Sequence, residues 1–360
     1  MYGQQKHFSF SRTQLTVLTC MLLLVSCIKE IKVPVRSVAP KLVVEGGITT
    51  DSVPYQVKLS FSGPYTSGIS IPDSLIIEDA TVIISDNTGK ENLLTHMGNG
   101  VYETNDASFV GVPGRSYQVH ITLRDGREYL SQPEVVPSPV PIGQVSKVEF
   151  DFHYDFQKPT DFKIFVDVKD PGGEENYYKW RTISWVPRLA TGVPCGNYCI
   201  KWQYCHQLTT RNYLHFLSDE SVNGNTIKEQ LVYRSPIYYF GRHYVDISQW
   251  TITREAYQFW KRFSEQENKS GSILDPLPAP IEGNIYNANN PDDLALGFFS
   301  ASAVSHKKVI LIPYNITQFL LDVTAKHFVG EGGCHLIYPN AIEFPPPGGW
   351  ENAETIDVHW

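Results

Sequence analysis

Tyr117-Gln118-Val119-His120-Ile121-Thr122-Leu123 carries an apolar residue at every second position. Successive strand side chains point to opposite faces, so this alternation predicts a half-buried β-strand with Val119 and Ile121 inward and His120 toward solvent. Lys41 to Gly46, Pro54 to Ser62 and Ala80 to Asp86 repeat the pattern. Between them, Asn87-Thr88-Gly89, Gly98-Asn99-Gly100 and Asp125-Gly126 supply hairpin turns, because Gly and Asn accept positive φ. Residues 41–136 therefore read as an immunoglobulin-like or transthyretin-like β-sandwich. Pro133, Pro137, Pro139 and Pro141 disfavour helix and central strand and mark its end.

Residues 142–330 read as a second, larger β-rich domain rich in aromatic residues, with one or two helices. Lys147 to Tyr154 and Phe162 to Lys169 alternate again, and Asp170-Pro171-Gly172-Gly173 turns the chain toward Tyr177-Tyr178. The clearest helix is Arg254 to Asn268, with Thr253 as N-cap and Ala256, Trp260 and Phe263 forming a core-facing stripe. Residues 331–360 form a C-terminal extension with the loop Pro345-Pro346-Pro347. The expected fold class is mainly β.

With 360 residues, 42% of them hydrophobic, the chain is long enough to bury the cores of two domains. Thirty basic residues against 38 acidic ones give a net charge of −8. Residues 1–26 carry Lys6 and Arg12 and no acid, so their removal leaves a still more acidic chain. That balance argues against nucleic acid as a partner.

The amino terminus has its own logic. Lys6, His7 and Arg12 precede the apolar run Leu15 to Val25, whose eleven residues suit a signal h-region, whereas a membrane span needs about 20. Leu24-Val25-Ser26-Cys27 matches a bacterial lipobox. Residues 1–26 are thus expected to be a lipoprotein signal peptide and Cys27 the lipidated residue, with each buried methylene contributing about 0.8 kcal/mol to membrane anchoring. Residues 27–40, with Pro34 and Pro40, form a tether of up to roughly 45 Å. Ile28-Lys29-Glu30-Ile31 resembles the surface-export signal of Bacteroidota lipoproteins, with one acid where two are usual.

Cys195, Cys199, Cys205 and Cys334 remain in the exported body and are expected to form two disulfides, in any of three connectivities. Their spacing does not favour zinc, and neither a metal nor another cofactor is expected. Catalytic motifs are missing: H-E-x-x-H, the P-loop, G-x-G-x-x-G and G-x-S-x-G do not occur. The Asn and Asp residues between Asn284 and Asp293 lack the register of a calcium loop and read as a turn. No catalytic residue is assigned, and the chain is not expected to be an enzyme. Tyr and Trp crowd residues 177–260, and Trp185, Trp202, Tyr204 and Tyr238, which flank Pro, Cys or turn residues, are the interface candidates.

Gly283-Asn284-Ile285-Tyr286-Asn287, followed by Leu296-Gly297-Phe298-Phe299-Ser300-Ala301-Ser302, resembles the Bacteroidota lipoprotein family called domain of unknown function 4249. Leu42-Val43-Val44-Glu45-Gly46, Pro54-Tyr55, Asn176-Tyr177-Tyr178 and the lipobox match in the same order, over Lys41 to Pro313. The resemblance implies a β-rich fold with an N-terminal immunoglobulin-like module. It also implies an outer-membrane lipoprotein beside a TonB-dependent receptor, and it carries no catalytic residue. Gly283 and Gly297 would supply backbone freedom, and Phe298 and Phe299 would face opposite ways. The expected role is a lipid-anchored, surface-exposed accessory that captures a small molecule, glycan or peptide for a TonB-dependent transporter. The alternatives are a structural or adhesive lipoprotein and an exported hydrolase.

Overall fold

The alternation centred on Val119 continues as strands through most of the molecule. A computed structural model describes residues 39–63, 72–151, 160–196, 199–210, 215–239, 241–269, 281–313, 330–342 and 348–358, and Pro40–Trp360 forms one compact unit. The signal segment, Cys27 and most of the tether lie outside the described residues.

The first nine strands are β1 (Leu42–Thr49), β2 (Gln56–Phe61), β3 (Thr81–Asp86), β4 (Glu91–Leu93), β5 (Thr95–Gly98), β6 (Val101–Glu103), β7 (Ser116–Thr122), β8 (Glu128–Ser131) and β9 (Glu134–Val135). In β7, Tyr117, Val119 and Ile121 are buried, while the side chain of His120 is 37% exposed and meets Glu128 Oε2 at 3.5 Å. Asn99 and Gly100, with φ of 53° and 72°, make the two-residue turn between β5 and β6.

A second set follows: β10 (Val145–Asp151), β11 (Thr160–Lys169), β12 (Tyr177–Gly196), β13 (Cys199–Thr209), β14 (His215–Ser218), β15 (Thr226–Ile237), β16 (His243–Ile252) and the helix α1 (Arg254–Lys269). Then come β17 (Glu282–Asn287), β18 (Asn290–Pro313), β19 (Gly330–Glu331), the single turn α2 (Cys334–Ile337), β20 (Ala341–Ile342) and β21 (Glu354–Val358). Strands β10, β11 and β15 form a small antiparallel sheet. It shares a core with the sheet ordered β21-β18-β16-β12-β13. Phe162, Ile164 and Tyr233 of the small sheet meet Trp180, Val245 and Leu311 of the large one in that core.

Strand β18 belongs to both halves. Its first part lies between β17 and β1, parallel to β1, and its second part lies between β16 and β21. Strand β17 also pairs with β8, giving a continuous order β4-β3-β7-β8-β17-β18-β1-β2-β6-β5. Ile285, Phe299 and Ala301 accordingly share one core with Val44, Val82 and Ile121. The module expected over residues 41–136 shares its core with residues 285–303, and the proline segment is a crossing between halves.

Helix α1 starts as expected, with the amide of Ala256 donating to Thr253 Oγ1 at 3.2 Å. Its buried stripe differs from the expected one. Ala256 and Phe259 are buried, Trp260 is half-buried and Phe263 is 42% exposed. Ala256 and Phe259 share a core with Tyr177, Ile252 and Phe298, and Tyr257 and Trp260 pack partly buried against it, whereas Phe263 meets the ring of Trp260 outside that core.

Candidate functional site

The motif pieces, distant in sequence, assemble on three adjacent strands. Residues 42–49 of β1 run parallel to β18 with Gly46 opposite Phe299 and Thr49 opposite Ser302, and β17 flanks β18 on the other side. Backbones approach so closely that a Cβ on Gly283 would stand 1.5 Å from the Gly297 carbonyl oxygen. Gly297 has φ of 93°, and a Cβ there would meet the Val44 carbonyl oxygen at 1.9 Å. Asn284 Nδ2 donates to the Phe299 carbonyl at 2.8 Å, and the Phe299 amide donates to Asn284 Oδ1 at 3.0 Å. Ile285 and Phe299 face the first core, and Phe298 faces α1, so the two phenylalanines do point to opposite sides. Ala301 and Ser302 are buried and Ser300 is half-buried. Asn287 bonds Asp293 Oδ2 through Nδ2 at 3.3 Å and accepts the Asn289 amide through Oδ1 at 2.9 Å, which makes the Asn/Asp run a hairpin turn.

Beside this seam lies an open cleft of about 660 Å³. Gln132 to Val135, the α1 residues Glu255, Gln258 and Arg262, and Glu282 line its sides, and Glu134, Asn284 and Phe298 reach its inner surface. Glu134 is 4% exposed. Its Oε2 accepts the Thr253 hydroxyl at 2.6 Å, and its Oε1 lies 3.4 Å from Asn284 Nδ2. Burial pushes its carboxyl up to about 7; Thr253 and Asn284 oppose the rise, and the Glu255 charge adds to it. Thr253 is doubly engaged, since it caps α1 while donating to Glu134. Among the described residues the lining holds no Ser, Cys, His or Lys. Arg262 is its cation among the described residues, with Nε directed to the Gln258 carbonyl at 3.3 Å. Amide and carboxylate acceptors, one guanidinium and the ring of Phe298 suit a small polar solute rather than an extended apolar one.

A family model described as Domain of unknown function (DUF4249) matches residues 28–308. The chain belongs to this family. The DUF4249 match begins one residue after Cys27 and takes in the three-strand seam and every cleft residue. No curated protein matches the chain.

The remaining sequence candidates lie elsewhere. Cys205 and Cys334 form a disulfide that links β13 to α2, while the side chains of Cys195 and Cys199 lie outside the described residues. The side chain of Trp202 is also outside them, and Trp185 is half-buried on β12. Tyr204 is 37% exposed and packs edge-on against His206, with ring centroids 5.3 Å apart. Tyr238 stacks on Arg188. Among the described residues no group of three His, Cys, Asp or Glu side chains is placed to hold a metal ion, and no helix is long and apolar enough to cross a membrane. Residue patterns alone did not single out Glu134, Glu255, Gln258 or Arg262. Glu134 stands in Pro133-Glu134-Val135-Val136-Pro137, where a lone acid among apolar residues was the available signal.

Proposed function

We propose that this DUF4249 protein is a bacterial lipoprotein, anchored in the outer membrane through acylated Cys27, that captures a small polar solute for a TonB-dependent transporter. The observation that carries the binding role is the cleft beside the motif seam, lined by hydrogen-bonding groups of α1, by the Gln132 to Val135 segment and by Phe298. The lipobox and the tether of residues 27–40 support anchoring at a distance from the lipid headgroups. The transporter and the outer-membrane location rest on the family resemblance. Solute capture is testable by thermal shift of the full-length chain in mild detergent against panels of oligosaccharides and short peptides. A hit should raise the midpoint, and the rise should disappear in Gln258→Ala and Arg262→Ala. Hits that survive both substitutions would place binding elsewhere.

A second reading, hydrolysis, is favoured by the pairing of Glu134, held near neutrality, with Glu255 in one cleft. It is the weaker one. Both oxygens of Glu134 are engaged by protein groups, which suits a carboxyl that ties β9 to α1 and β17.

A further inference from the structure

Arg188 of β12 lies at the other end of the large sheet, remote in sequence from every cleft residue. Its guanidinium carbon stands 3.4 Å from the ring centroid of Tyr238 and 4.4 Å from that of Tyr338. Nε donates to Gln207 Oε1 at 2.7 Å, which leaves the outer fork of the group as its unused edge. Among the described residues no carboxylate pairs with Arg188. The Arg188 side chain is half-buried rather than sealed in the core. Its partners are themselves fixed. Tyr338 donates its hydroxyl to the Leu189 carbonyl at 2.8 Å, and the Cys205–Cys334 disulfide ties the preceding turn to β13. Gln207 further donates through Nε2 to the Pro339 carbonyl at 3.3 Å.

A half-buried guanidinium with no counter-charge among the described residues is an incomplete arrangement in an acidic protein. Two rings hold its plane, an amide orients one nitrogen, and the free edge presents parallel N–H groups. That geometry matches a planar carboxylate accepted side-on through two hydrogen bonds.

We propose that Arg188, clamped by Tyr238 and Tyr338 and oriented by Gln207, is a binding site for a carboxylate group on an organic ligand. The site stands on its own observations and does not depend on the cleft. A single cation neutralises one negative charge, which fits a monoanionic carboxylate better than phosphate.

Calorimetric titration of the full-length chain in mild detergent tests this, with acetate, benzoate and inorganic phosphate as probes at constant ionic strength. Saturable binding of benzoate and acetate, tighter than phosphate, is expected. Arg188→Gln and Arg188→Lys should weaken it about tenfold or more, since lysine keeps the charge and loses the fork. Tyr238→Leu removes one face of the clamp and leaves the guanidinium, and should weaken binding about threefold; it also serves if Arg188 variants do not fold, as judged by circular dichroism. Absence of saturable binding to the wild type would overturn the proposal. So would binding unchanged by Arg188→Gln and Tyr238→Leu, or phosphate binding more tightly than either carboxylate.

Discussion

The carboxamide of Asn284 closes a two-bond ring with the main chain of Phe299, donating to its carbonyl at 2.8 Å and accepting from its amide at 3.0 Å. A side chain of β17 thus occupies the place of a strand neighbour to β18 at the point where Gly297 leaves ordinary extended geometry. The same Nδ2 lies 3.4 Å from Glu134, so the clamp that holds the seam also shapes the cleft. Asn284→Ala leaves both Phe299 groups without this partner. The expected loss of unfolding free energy is about 2–3 kcal/mol, measured by chemical denaturation.

Gly283 and Gly297 permit the close approach of β17, β18 and β1. Gly283→Ala drives a Cβ into the Gly297 carbonyl at 1.5 Å, and the nearest atoms are all backbone of Gly297 and Phe298, with no flexible group to yield. We expect failure to fold, read as loss of soluble, protease-resistant protein. Gly89→Ala is the comparator: φ is 87° and nothing lies within 4 Å of the added atom, so its cost should stay near the backbone penalty of about 1–2 kcal/mol.

Two groups make stability fall as pH rises. The Glu134 carboxyl stands at about 7 in the folded protein against an ordinary 4.5, so its contribution is full below pH 4.5 and is lost as pH rises through 7. Glu134→Gln keeps an acceptor for Thr253 and should raise stability at pH 8 by about 2 kcal/mol, with little change at pH 4. His306 is raised to about 9, first by Asp246 and further by Asp51, against the cost of desolvation. Its Nε2 lies 2.9 Å from Asp51 Oδ2 and its Nδ1 lies 3.2 Å from Asp246 Oδ1. That stabilisation is complete below pH 6.5 and lost as pH climbs to 9. The His306 side chain is 40% exposed, so solvent screening limits it to about 1 kcal/mol. Thermal midpoints of wild type, Glu134→Gln and His306→Gln between pH 4 and 9.5 should separate the two windows.

The Cys205–Cys334 bond spans 129 positions. Cross-linking a loop of that size restricts the unfolded chain, and the paired change Cys205→Ser with Cys334→Ser should cost about 4–5 kcal/mol in the chain-entropy account. Denaturation of the variant beside the wild type measures it. A difference below about 1 kcal/mol would show that the C-terminal turn is held by packing alone.

Cys27→Ser removes the thiol that the lipobox presents for acylation. Metabolic labelling with radioactive palmitate should mark the wild-type chain and not the variant. Equal labelling of both would move the anchor to another residue.

Much of the fold was legible because short-range alternation encodes it. Within the run Ala80 to Asp86, residues Thr81 to Asp86 form β3, Tyr117 to Thr122 lie on β7, and Thr253 with Arg254 to Asn268 on α1 and its cap. The passage of β18 between the two halves was not legible. Its pairing with β1 joins residues some 250 apart, and no local pattern records a partner at that distance. The backbone freedom of Gly283 and Gly297 is visible in the sequence; their action with Asn284 as a close-packed seam depends on that long-range pairing. The cleft was hidden for the same reason, since Glu134, Arg262 and Asn284 come from three segments. Among the aromatic candidates, Tyr238 was named from its neighbours, but Arg188, the group it stacks on, carried no sequence signal.

The most direct test of the account is affinity purification of the tagged full-length protein from its native membrane in mild detergent, with mass spectrometry of everything that co-purifies. A TonB-dependent β-barrel in stoichiometric amount is the predicted result. A folded, acylated protein recovered alone would contradict the transport role.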